Sequence, residues 1–122
     1  MLLAGCAAQP PAPVDAPAPP PMAPVITAKS ENAAVAGLMD SARSDAAAGR
    51  LGSAAATLER ALRIEPRNPR LWHELAKVRL RQSDYAQAES LASRSNTYAG
   101  SDGELRAANQ KIIADARVAA GR

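Results

Sequence analysis

Few side chains in this sequence could do covalent chemistry. Cys6 is the single thiol and His73 the single imidazole, and neither is accompanied by a carboxylate pair, a metal-spaced cluster or a glycine-rich phosphate loop. Catalysis has little to stand on, and a non-enzyme is expected, with no metal and no bound cofactor. The sequence offers a row of cations instead. Arg70, His73, Lys77 and Arg81 recur at steps of three and four residues, the spacing that lines side chains along one side of a helix. Guanidinium and ammonium groups so arranged hold carboxylates, so the chemistry to expect is binding of an acidic partner, drawn in by long-range attraction and weakened by salt.

The thiol is explained by its neighbours. Leu3-Ala4-Gly5-Cys6 resembles the bacterial lipobox, where a lipoprotein signal peptide is cut and the new N-terminal cysteine acylated. The resemblance implies that the small residues let a peptidase grip the extended backbone and that Cys6 takes a diacylglyceryl group. Ala7 and Ala8 follow, with no Asp directly behind the cysteine, which implies sorting to the outer membrane with the chain facing the periplasm. Only five residues precede Cys6, with no basic region and hardly any apolar stretch, so the true start is expected upstream and residues 1–6 are a signal-peptide remnant. A covalent lipid on Cys6 is the one attached group expected.

Behind the cysteine runs AAQPPAPVDAPAPPPMAPVITA, and eight of the ten prolines fall between Pro10 and Pro24. Such a stretch neither buries apolar area nor forms ladders, and polyproline-II is its preferred state. Residues 7–30 are therefore expected to be a disordered Pro/Ala-rich tether, reaching roughly 70 Å if extended.

Past the tether the composition turns to helix formers. Phe is absent, and one Trp and two Tyr are the only aromatics, so a core must come from Leu, Ile, Val and Ala. Small side chains let helix backbones approach closely, whereas strands would want the β-branched and aromatic residues this chain lacks. An all-α fold follows. Beyond Ala28 there are 15 basic against 11 acidic groups, a net of +4. That mild bias, with so few aromatics to stack on bases, argues against nucleic acid as a partner.

Residues 31–122 contain a repeat. Leu38 aligns with Trp72, Ala42 with Ala76, Gly49 with Ser83, Leu51 with Tyr85, Ala54 with Ala88 and Pro66 with Gly100, all 34 residues apart. GRLGSAAATLERALRIEPRNP and WHELAKVRLRQSDYAQAESLA resemble the tetratricopeptide repeat (TPR), which implies helix-turn-helix units over about Ala33 to Gly100. Ser41 and Asp45 depart from that pattern by standing where large apolar residues are usual. Local signals give the same layout. Helices are expected over about 31–48, 51–65, 69–81 and 83–98, with Asn68 capping the third behind Pro69 and Ser83 capping the fourth. Ser101-Asp102-Gly103-Glu104 has the form of a capping box, opening a fifth helix whose face is marked by Leu105, Ala108, Ile112, Ala116 and Ala119. The prediction is two TPR-like hairpins, four helices, closed by a C-terminal capping helix, since the last pair would otherwise leave an apolar flank bare. Leu38, Leu58, Leu62, Trp72, Leu75, Val78, Tyr85, Leu91, Leu105 and Ile112 are the expected interior.

In the repeat's register the first helix of each pair lines a groove. The resemblance places Ala36, Met39 and Arg43 there from the first helix and Arg70, His73, Lys77 and Arg81 from the third, with Arg106 of the fifth nearby. Anchor, tether and short TPR head together resemble the LpoP-type activators of class A penicillin-binding proteins. That resemblance implies an outer-membrane lipoprotein whose partner is the periplasmic part of such a synthase, with the lipid as its only membrane contact. The alternatives are a pilotin or assembly factor for a secretin or pilus system, and a cytoplasmic TPR scaffold should the lipobox be accidental.

Overall fold

The structure, a computed structural model, describes residues 32–122. Cys6 and the Pro/Ala-rich segment 7–30 lie outside them. The described residues form five α-helices and no strand: α1 (Ala33–Ala47), α2 (Leu51–Ile64), α3 (Pro69–Arg81), α4 (Tyr85–Ala99) and α5 (Gly103–Ala119). This is the all-α TPR-like fold expected.

Each start has a local cause. Asn32 caps α1 through its side-chain oxygen, which accepts from the Ala34 N–H at 2.9 Å, so the helix begins two residues later than the 31–48 expected. Asn68 caps α3 in the same way, and Pro69 follows at the first helical position, where its missing N–H leaves no bond unmade. Two predicted caps shift by one residue. Asp84 rather than Ser83 caps α4, accepting from Gln87 N–H, and Asp102 rather than Ser101 caps α5, accepting from Leu105 N–H at 3.0 Å.

Ser83 has another task. It is the only described non-glycine with positive φ, +61°, and stands one repeat after Gly49, whose φ is +80°. Both close the preceding helix identically. Gly49 N–H donates to Ala46 O and Arg50 N–H to Asp45 O; Ser83 N–H donates to Leu80 O and Asp84 N–H to Arg79 O. Gly121 and Arg122 end α5 with the same pair of bonds. Left-handed closure satisfies the last carbonyls of each helix and reverses the chain tightly, which glycine does without steric cost and serine does not.

α1 packs on α2 and α3 on α4, giving two hairpins; α2 also packs on α3, and α4 on α5. α5 touches α3 as α3 touches α1, so the closing helix takes the place a third repeat would open with. The interior forms two clusters. The first centres on Val35, Met39, Leu58, Leu62, Leu71, Leu75 and Val78; the second joins Ala76, Ala88 and Ala92 to Ile112, Ile113 and Ala116. Of the expected interior, Leu58, Leu62, Leu75, Val78 and Ile112 are buried, while Leu38, Trp72, Tyr85 and Leu91 pack half-buried against the clusters. Leu105 is half-buried outside both clusters, and Ala119 is exposed.

Candidate functional site

The groove between α1 and α3 is where the predicted cations meet. Arg43, Ala46 and Ala47 form one wall, Glu74, Lys77, Val78 and Arg81 the other, around a cleft of about 210 Å³. Helical spacing does the positioning: Lys77 and Val78 stand three and four residues after Glu74 and four and three before Arg81 on α3, and Ala46 and Ala47 stand three and four after Arg43 on α1. Ala46, Ala47 and Val78 give the cleft an apolar floor.

Glu74 sits at its electrostatic centre. Its Oε1 accepts from Arg43 Nη2 at 3.1 Å and Nε at 3.2 Å, and its Oε2 pairs with Lys77 Nζ at 3.3 Å. The Glu74 side chain is 12% exposed, against 51% for each cation, so the carboxylate lies inside and the cations stand outward. Arg81 Nη1 donates at 2.6 Å to the carbonyl of Ala46, in the last turn of α1, where helical carbonyls lack intrahelical partners. Three cations against one carboxylate leave the groove positive. Surface pairs of this kind add little to stability, typically under about 1 kcal/mol, so the arrangement is better suited to exchanging partners than to holding the fold.

The other predicted site residues go elsewhere. Met39 is a correction: it is 3% exposed in the first core cluster and offers nothing to a partner. Met39 stands 34 residues before His73, which meets α5, and it shares its cluster with Leu58 of α2 and Leu71 and Leu75 of α3, so the helices packed against α1 close it in while Ser41 is turned to solvent. Ala36 is half-buried outside the cleft lining. Arg70 is exposed in the first turn of α3, and Arg106 is exposed on α5, its Nη1 3.4 Å from the Asn96 carbonyl of α4.

His73 belongs to a buried polar network rather than to the groove. Its Nδ1 lies 2.7 Å from Asn109 Oδ1. Asn109, fully buried, donates through its amide nitrogen to Ser95 Oγ at 2.7 Å and Asn96 Oδ1 at 2.9 Å, and Ser95 Oγ donates to the Pro69 carbonyl at 2.8 Å. Because the amide nitrogen faces two oxygens, the amide oxygen must face His73, and His73 Nδ1 carries the proton between them. The network ties α3, α4 and α5 together. Asn109 and Ser95 escaped the sequence reading, although Asn109, four residues past Leu105 and three before Ile112, stands on the apolar face of α5.

No group of three His, Cys, Asp or Glu able to hold a metal gathers among the described residues, and no described helix is long and apolar enough to cross a membrane.

The tetratricopeptide-repeat family model matches residues 45–112. The chain is also similar to the globular C-terminal domain of LpoP from P. aeruginosa, with 42% identity and a TM-score of 0.73 over 75% of this chain and 87% of that one. No curated protein matches the chain in sequence.

Proposed function

We propose, from the premise that this chain belongs to the tetratricopeptide-repeat family, that it is an outer-membrane lipoprotein whose head binds and activates a class A penicillin-binding protein. The head is a protein–protein interaction module. The single observation that carries the finer assignment is its likeness to the C-terminal domain of LpoP, which extends over most of both chains. Leu3-Ala4-Gly5-Cys6 supplies the anchor and residues 7–30 the spacer, so that the head works away from the bilayer.

Activation then has a defined physical form. The head must bind the synthase's active conformation more tightly than its resting one, because a ligand of equal affinity for both shifts nothing. The positive α1–α3 groove is the docking surface. An incoming carboxylate competes with Glu74 for Arg43 and Lys77, whose side chains stand outward to meet it, while the apolar floor takes an adjacent side chain.

Co-purification with the periplasmic part of a class A penicillin-binding protein, followed by glycan polymerisation with and without the head, tests the assignment. Binding with a rate increase is expected, and no binding would end it. Arg43→Glu with Lys77→Glu is expected to weaken that binding about tenfold or more while leaving the helical circular dichroism intact. Fatty-acid labelling of the native protein and of Cys6→Ala tests the anchor: label on the former alone is expected.

A further inference from the structure

The far side of α2 is also charged, and the groove makes no use of it. On α2 the buried residues Ala54, Leu58 and Ala61 turn toward α1 and α3. At 3.6 residues per turn, Arg60, Arg63 and Ile64 fall on the opposite side of the same cylinder. All three are exposed, Ile64 at 47%, and so is Arg67 in the turn that follows. None of Arg60, Arg63 and Arg67 has an ion-pair partner among the described residues. The neighbouring acids are engaged elsewhere. Glu59 pairs with Arg79 at 2.9 Å, and Glu65 accepts from the Asn32 backbone N–H at 2.8 Å and the Asn68 side chain at 2.9 Å. Positive charge continues beyond the turn: Trp72 Nε1 donates to the Pro66 carbonyl at 2.8 Å, and the Arg94 guanidinium lies over its ring, 4.9 Å from the centroid.

We infer that this face docks an acidic protein segment carrying carboxylates about one helical turn apart around a single apolar side chain. Three features select that occupant. The cations are all arginines, whose planar fork matches a carboxylate with two parallel bonds. One exposed Ile64 offers contact to one apolar side chain, whereas lying in a bilayer surface needs a whole apolar helix face, which α2 has committed to the core. A sugar chain would want an open aromatic face, and the Trp72 ring is already covered by Arg94. The head thus carries two carboxylate-binding surfaces on different sides, the α1–α3 groove and the α2 face, and can hold two partners or two parts of one, the second bound at the high effective concentration set by the first.

The 122-residue chain is titrated with a synthetic helical peptide bearing Glu at i, i+3 and i+7 around Leu at i+4, and with a peptide of the same composition whose Glu residues are scattered around the helix. The ordered peptide is expected to bind at least about tenfold more tightly, and Arg60→Glu with Arg63→Glu and Arg67→Glu to remove that preference. Lys111→Glu, at an exposed position of α5 outside both surfaces, leaves it unchanged. Circular dichroism of the triple variant establishes that it is folded. Equal binding of the two peptides, indifference to the triple reversal, or stronger retention on phosphatidylglycerol vesicles or peptidoglycan sacculi than by the peptide would overturn the inference. No probe here contains a synthase, so the outcome is separate from that of the polymerisation assay.

Discussion

Between α1 and α2 large side chains stand on both helices, Val35 and Met39 against Leu58 and Leu62, whereas between α4 and α5 the small Ala88 and Ala92 face Ile112, Ile113 and Ala116, with Ser95 and Asn109 buried beside them. Large side chains hold the first seam by volume. In the second, the small residues of α4 let α5 come close enough for a buried hydrogen-bond network to form beside Ile112 and Ile113. Burial of apolar area is non-directional, so the first seam tolerates small shifts. A network running from His73 through Asn109 and Ser95 to the Pro69 carbonyl fixes how α3, α4 and α5 stand relative to one another. α3 takes part in both, lending Leu71, Leu75 and Val78 to one side and Ala76 and His73 to the other. The groove-lining half of α3 is therefore gripped from two sides by two kinds of force.

Cavity creation tests the contrast most severely. Leu58→Ala, at a residue 1% exposed, is expected to cost about 2–5 kcal/mol in urea unfolding, from lost transfer energy and the void left behind. Asn109→Ala removes little volume but takes the hydrogen-bond partner from His73 Nδ1 and Asn96 Oδ1, and about 1–3 kcal/mol is expected. Should Asn109→Ala cost more than Leu58→Ala, the division between volume and hydrogen bonding would be the wrong way round. The closures compare the hairpins at a third level. Ser83→Gly is expected to stabilise the protein by up to about 1 kcal/mol by relieving a left-handed serine, and Gly49→Ser to destabilise it comparably. Glu74→Gln should move unfolding by only about 1 kcal/mol, because the cations of both pairs it breaks stand outward in solvent. Its effect should appear in binding, where the acidic partner is held more tightly and with a steeper dependence on salt.

The fold was legible in the sequence because its signals are local. Asn68-Pro69 and Gly49 each act within a few residues, the 34-residue offset repeats such signals, and each marks the feature expected of it. Where two capping residues stand side by side, as at Ser83-Asp84 and Ser101-Asp102, local chemistry allowed either, and aspartate took both caps. The burial of Met39 was harder to read, because it depends on what α2 and α3 offer opposite, a long-range property. The row on α3 was legible as helical spacing, yet spacing did not distinguish residues that look into the groove, Lys77 and Arg81, from His73, which α5 draws into a polar network. Asn109 was readable only as a polar interruption of an apolar face, and its partners come from two other helices.

Trp72 is the sole indole of the chain, tied to the Pro66 carbonyl and roofed by Arg94. Its emission spectrum is consequently a native optical gauge of one place, the corner where the α2–α3 turn meets α4, with no label needed. A ligand that lifts the guanidinium off the ring changes intensity there without any unfolding, while loss of the corner itself shifts the emission to the red.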